Sequence, residues 1–518
     1  MINRISPSQR RRPLAGAITA GLLFLAAAPA AAQHRARLSA DLEDHVSAGS
    51  QSIDVIVDGD QAKVDAVAAR YNLVVKRRLA SGAVLHVNAG QLVALQQEEM
   101  LDHLSGDVRI QSSVLEVTAE SIGADQVWAG ADGRPGLSGQ GVSVAVIDSG
   151  IDTRHNALKN RVLVTRDFTG GDGVDRYGHG THVAAIIAGQ AGRTADTRGY
   201  RGIAWGAYLL NLRVLGDDGS GMASNVIEAI DWTIAHRREY NVRVINLSLG
   251  APVMQPYRDD PLCEAVERAV KAGITVVVAA GNYGRTADGK PVYGSIASPA
   301  NSPYSIAVGA IDTHETPQRP DDTLAPFSSK GPTRYDLILK PDVAAPGTHV
   351  VSAESAGSYL SRTYATRHVA GSGDDAYMQL SGTSMAAGVV SGAVALLLDA
   401  RSTLTPRETR AALQLTSTFL PSAGLLGAGA GIVNAVAAVE LVETNVIPTT
   451  TIAGEDAVAS GFFTESSTSR LVTSFTSNRW KSGRTRALSG KKILWRAADS
   501  IIWGSSAGSI IWGSADPQ

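Results

Sequence analysis

The sequence predicts an α/β fold: a mostly parallel sheet covered by helices on both faces, preceded by a small α+β unit of ferredoxin-like plan. Two observations carry this. From Gly141 onward, runs rich in Val, Ile, Leu and Ala and apolar on both strand faces alternate with segments of helical periodicity. Strands buried on both sides belong to parallel sheets whose crossovers are helices. Ahead of that region, residues 51–111 alternate strand-like and helix-like segments in the order β-α-β-β-α-β. The 518 residues leave room for two or three domains, and 44% apolar against 19% charged residues marks the bulk of the chain as globular. A net charge of −2 gives no reason to expect nucleic acid or an anionic membrane as partner. The single cysteine, Cys263, excludes an intramolecular disulfide and reads as a buried structural thiol on a predicted helix over 261–272.

At the N-terminus, Arg4, Arg10, Arg11 and Arg12 precede an apolar run over 14–28, and Ala30-Ala31-Ala32 offers a small-residue cleavage site. Residues 1–32 therefore read as a signal peptide, which predicts secretion to the extracellular space or cell envelope. Ordinary secretion and twin-arginine export both stay open. In the α+β unit, strands are expected at 53–57, 74–79 and 83–87 and helices at 61–71 and 91–100, with Val108-Arg109-Ile110 as the candidate closing strand. In the larger unit, strands are expected at 142–148, 208–214, 242–248, 274–280 and 305–311. Helices are expected at 181–189, 222–238, 261–272 and 384–398, the last as a buried core helix. Ligands on such sheets gather at the carboxyl ends of the strands, which places Asp148 at the functional rim.

After about residue 441 the composition turns Ser/Thr-rich, then basic over 479–496, and Ser-Ile-Ile-Trp-Gly-Ser occurs at 500–505 and again at 509–514. This 441–518 tail suits a hairpin that docks on a surface or an export partner. A floppy tail removed by proteolysis is the open alternative.

Three short segments carry the chemistry: Val144-Ala145-Val146-Ile147-Asp148-Ser149-Gly150, Gly178-His179-Gly180-Thr181-His182-Val183 and Ser381-Gly382-Thr383-Ser384-Met385-Ala386-Ala387. They supply an acid, an imidazole and a hydroxyl, each beside glycine or small residues. A serine hydroxyl needs an adjacent base to become a nucleophile, and the base needs an orienting acid. The order Asp, His, Ser is one of the three unrelated orders in which such triads occur. An esterase of the Gly-x-Ser-x-Gly type would show a different motif and order. His179 and His182 are three apart with no Glu between them, which does not match the His-Glu-x-x-His helix of zinc proteases. Asp152 competes with Asp148 for the role of acid.

Over roughly residues 35–440 these motifs resemble the subtilisin-like serine proteases, the subtilases. The resemblance implies a catalytic domain over 119–440 with Asp148, His179 and Ser384 as the triad. It also implies that Asn282 and the Ser384 N–H form the oxyanion hole. It makes Ser248, Leu249 and Gly250, with Ala279, Ala280 and Gly281, the walls of the pocket for the residue preceding the scissile bond (P1), with Ala297 near its floor. These small uncharged residues suggest cleavage after large apolar residues in protein and peptide substrates. By the same resemblance, residues 33–118 are a propeptide that acts as an intramolecular inhibitor, with processing near 105–120; a permanent N-terminal domain is the alternative. No cofactor is expected for catalysis. Asp167, Asp172 and Asp175 offer carboxylates to a structural calcium, while Ala157 stands where many subtilases present an aspartate to a tighter site. Gly388 and Trp205 replace prolines usual in the family.

Overall fold

The computed structural model describes residues 35–465, except 40–41, 43–44, 47–49, 51, 99, 108, 113–118, 131–134, 195–196 and 198, together with 470–473, 501–503 and 510–512. The expected signal segment 1–32 and the basic stretch 479–496 lie outside the described residues.

The N-terminal unit contains strands β1 (Arg37–Leu38), β2 (Ile53–Asp58), β3 (Val74–Leu79), β4 (Gly82–Val87) and β5 (His103–Gly106), with helices α1 (Gln61–Tyr71) and α2 (Ala89–Leu95). The strand order is β1-β5-β2-β4-β3. Side chains on successive strand positions point to opposite faces. Val55, Val57, Ala83 and Leu85 therefore pack with Val64, Val67 and Leu92 in the unit's own core. Ile56 and Val84 point the other way and join a core shared with the main domain.

Two expectations for this unit are corrected. The second helix begins at Ala89 rather than Gln91, because Asn88 and Gln91 cap its first turn reciprocally, and it ends at Leu95. The sheet is closed by β5 and not by Val108-Arg109-Ile110, since Leu101 and Leu104 supply the buried side chains that this core requires. The chain then leaves the unit. Its next strand, β6 (Arg109–Ser112), lies antiparallel between Ser220–Met222 and Leu249–Gly250 of the main domain.

The main sheet is built from β7 (Ser143–Asp148), β8 (Val162–Asp167), β9 (Tyr208–Arg213), β11 (Val242–Leu247), β13 (Thr275–Ala279), β14 (Ile306–Asp312), β15 (Thr323–Leu324) and β16 (Val343–Pro346). The short strands β10 (Ser220–Met222) and β12 (Leu249–Gly250) stand outside it and flank β6. The order is β15-β14-β13-β11-β7-β9-β8, with β16 also on β14. Every pairing is parallel except β14–β15. Val144, Val146, Val244, Val277 and Val308 face helices α3 (His179–Ala188) and α6 (Thr383–Ala400). Ala145, Ile147, Ile245, Leu247, Val276 and Val278 face α4 (Ala223–His236) and α5 (Pro261–Lys271). The predicted strands and helices of this domain lie within one or two residues of those observed. Among the described residues, α6 is the one helix long and apolar enough to cross a membrane, and it lies buried in the core.

The expected boundary at 440 falls inside helix α7 (Ala435–Thr444). Beyond it, Thr450–Ile452 pairs with Glu455–Ala457, Phe463 is buried in the main core, and Phe462 stacks edge-on against Phe419 at 5.2 Å. A Thr-rich stretch suits a sheet edge as well as a linker, which is why composition alone placed the boundary too early. The two Ile-Ile-Trp repeats pair antiparallel, Ile502 opposite Ile511.

The N-terminal unit rests on α4 and α5. Asp107 accepts hydrogen bonds from the Ser224 N–H at 2.9 Å and the Ser224 hydroxyl at 2.7 Å, placing a carboxylate at the positive end of α4. Arg77 pairs with Glu228 at 3.3 Å. His103 lies between Asp58 and Glu264, and burial together with the Asp58 charge pushes the Glu264 carboxyl up to about 8.

Ile56 is one apolar anchor of this contact, beside Leu79 and Val84. Ile56→Ala should weaken docking by about 2–5 kcal/mol, the usual range for emptying a buried aliphatic site. A calorimetric melt of the full chain checks this by a lowered first transition. Val74→Ala, at a position 62% exposed, should stay within about 0.5 kcal/mol.

Candidate active site

Strand β7 ends at Asp148, and α3 begins at His179. His179 Nδ1 lies 2.7 Å from Asp148 Oδ1, and both side chains are fully buried. The same carboxylate oxygen accepts the Ser149 N–H at 2.7 Å. With the proton on Nδ1, the ring is held in one tautomer and one orientation. Close approach of the two elements depends on Gly180. A Cβ there would stand 2.2 Å from the Gly150 carbonyl oxygen and 3.1 Å from the Asp148 Cβ.

The start of α3 is held by a carboxylate that the sequence reading assigned elsewhere. Asp175 is buried and accepts hydrogen bonds from the Ser149 hydroxyl, the Gly178 N–H, and the N–H and hydroxyl of Thr181, at 2.6–2.9 Å. Burial pushes its carboxyl up despite these donors. The Asp-x-x-x-His spacing from Asp175 to His179 was the signal available for this role.

Ser384 opens helix α6, one residue after Thr383, with Gly382 as the preceding cap. Its hydroxyl donates to the Ser248 carbonyl at 3.1 Å, and the Ser248 hydroxyl donates to the Ser384 carbonyl at 2.8 Å. Asn246 Nδ2 donates to Ser248 Oγ at 2.9 Å, so the link between β11 and β12 is tied to the first turn of α6. Asn282 follows β13. Its Oδ1 accepts both the N–H and the hydroxyl of Thr383, each at 3.0 Å, which leaves Nδ2 as the donor end of the amide. Thr383 thus positions the Asn282 amide, a part its place in the Ser-Gly-Thr-Ser segment does not reveal.

The residues expected to form the P1 pocket converge. Cβ atoms built at Gly250 and Gly281 would lie 3.0 and 3.1 Å from the Ala297 Cβ. Gly281 has φ +106°, a conformation that favours glycine. Ala297 donates its N–H to the Ala280 carbonyl at 2.9 Å. Ser248, Leu249, Ala279, Ala280 and Ala297 are all buried. Ser112, the last residue of β6, pairs opposite Leu249, so this segment runs to the edge of the pocket.

Other candidates stand apart. Asp152 is engaged by Arg154 at 2.9 and 3.0 Å. His182 is buried, its Nε2 lies 3.2 Å from the Met378 carbonyl, and burial lowers it to about 3, so it stays neutral. Asp167, Asp172 and Asp175 do not gather: Asp167 pairs with Arg213, Asp172 with Arg176, and Asp175 serves α3.

The model of the subtilase family matches residues 139–445. Serine protease AprX of Bacillus subtilis (strain 168) is 38% identical over 285 residues, covering 54% of this chain and 61% of AprX. Subtilisin E of the same strain is 34% identical over 313 residues, covering 59% of this chain and 68% of that protein. Subtilisin of Bacillus pumilus is 35% identical over 313 residues, covering 59% of this chain and 94% of that protein. The chain therefore spans less than two thirds of AprX and most of the B. pumilus enzyme.

A proton in a short bond between imidazole and a buried carboxylate resonates far downfield, which makes the Asp148–His179 contact directly observable. Gly180→Ala should abolish that His179 signal in the proton NMR spectrum, while the far-ultraviolet circular dichroism stays that of the parent.

Proposed function

The chain belongs to the subtilase family of serine proteases, and on that premise we propose that it is a secreted endopeptidase, made as a self-processing proenzyme, that hydrolyses proteins through Asp148, His179 and Ser384. The observation that carries the reading is the fully buried 2.7 Å bond between Asp148 and His179, with α6 presenting Ser384 and Thr383 presenting Asn282. In this mechanism His179 Nε2 takes the proton of Ser384 as its Oγ attacks the substrate carbonyl carbon. The resulting oxyanion is met by the Ser384 N–H and Asn282 Nδ2. As the C–N bond breaks, His179 returns the proton to the leaving amine, and an acyl-enzyme remains. Water then repeats the sequence and frees the carboxylic acid. Asp148 keeps the imidazole oriented and stabilises its charged form.

An extended substrate is expected to add as a strand between β10 and β12, taking affinity from main-chain hydrogen bonds. Strand β6 occupies that place, which supports an inhibitory role for the N-terminal unit and processing shortly after Ser112. The small, uncharged surroundings of Ala297 support a preference for large apolar P1 residues. The arginine-led apolar N-terminus supports export.

Expression without residues 1–32, beside a Ser384→Ala version, tests the reading. The parent should lose the segment from residue 33 to just past Ser112, roughly 80 residues, and degrade casein, while Ser384→Ala stays whole and inactive. Both chains staying whole with casein intact would overturn it. In the processed enzyme, Asn282→Leu should lower kcat by about 10²–10³-fold with little change in KM, a magnitude borrowed from other subtilases rather than from this geometry.

A further inference from the structure

Asp58 ends β2, His103 opens β5, and Glu264 stands on α5, so one cluster draws its members from both units. His103 Nε2 lies 3.1 Å from Asp58 Oδ2 and 3.8 Å from Glu264 Oε1. All three ligand atoms fall within 4.8 Å of one another. The Nε2 atom is buried, yet makes no well-directed hydrogen bond, so the Asp58 oxygen lies off the line of the ring N–H. Two carboxylates held this close are balanced either by protons, on His103 and on Glu264, or by a cation between them. Arg268, one turn along α5 from Glu264, is engaged by Asp231 at 2.9 Å.

We propose that Asp58, His103 and Glu264 bind one zinc ion that clamps the N-terminal unit onto the main domain. Tetrahedral zinc with bonds of about 2.0–2.1 Å holds its ligand atoms about 3.3 Å apart, close to the separations His103 makes here. One neutral imidazole and two carboxylates supply two negative charges, which a divalent ion balances. The nitrogen donor and the small ligand number disfavour calcium and magnesium, which take mostly oxygen donors and more of them. The side chains of Asp58, His103 and Glu264 retain 26%, 12% and 27% of their exposure, enough to admit the ion and a water as fourth ligand. Its three residues are none of those assigned to the triad, the oxyanion hole or the P1 pocket, and its test does not depend on the peptidase reading.

The test is calorimetric titration of zinc chloride, in metal-free buffer, into the full chain without residues 1–32 carrying Ser384→Ala. One ion should bind per chain. His103→Ala and Glu264→Gln should each weaken binding by more than about 100-fold, beyond the ~10–100-fold that outer-shell losses cost. X-ray absorption should show one imidazole and otherwise oxygen ligands. Absence of binding in the parent, or zinc retained by either variant, overturns the site. Glu264→Gln, nearly isosteric and partly exposed, decides the matter should His103→Ala fail to fold.

Discussion

The structure turns on how closely the first turn of α3 can approach the carboxyl end of β7. Without a side chain at residue 180, the helix start sits directly against the strand end, and a carboxylate from one element reaches an imidazole from the other inside the protein. Once that distance is set, the rest follows as support. Asp175 anchors the helix start, and α6, packed beside α3 on the same face of the sheet, delivers its own N-terminal turn to the same rim. Strands, helices and loops are then arranged around a gap of one missing methyl group.

Burying charge is costly unless each charged group finds donors or a counter-charge. The rim resolves this residue by residue. Asp148 takes an imidazole and an amide, and Asp175 takes two amides and two hydroxyls. His182, with no carboxylate beside it, stays neutral. These different solutions explain why carboxylates close in sequence do not act together. Position in the chain brings Asp167, Asp172 and Asp175 near one another, whereas the available donors pull them apart.

Much of this was legible in the sequence because two-faced apolar strands and glycine-flanked motifs are local signals. The central strands β7, β9, β11, β13 and β14 announced themselves by unbroken apolar runs. The edge strand β8 did not, because Leu163, Thr165 and Arg166 are exposed and the rest of the strand is only half-buried, and β16 ends in Pro346, which argues against a strand. The closing strand of the N-terminal unit was misplaced because Val-Arg-Ile has better strand character than His-Leu-Ser-Gly, and only the packing of Leu104 decides between them. At the site, the motif residues were legible and their supports were not. The Thr383–Asn282 contact joins residues 101 apart, and nothing local in either segment points to the other.

Strand β6 has a kinetic consequence. A peptide tethered to its own cleft is present at an effective concentration that free molecules in solution do not approach. Occupancy of the groove between β10 and β12 is therefore insensitive to dilution while the chain is continuous. Were the chain cut after β6, the same segment would become an ordinary ligand, and its hold would depend on the total amount of protein and on how firmly the rest of the N-terminal unit stays seated on α4 and α5. One bond thus separates a restraint that ignores protein concentration from one that follows it.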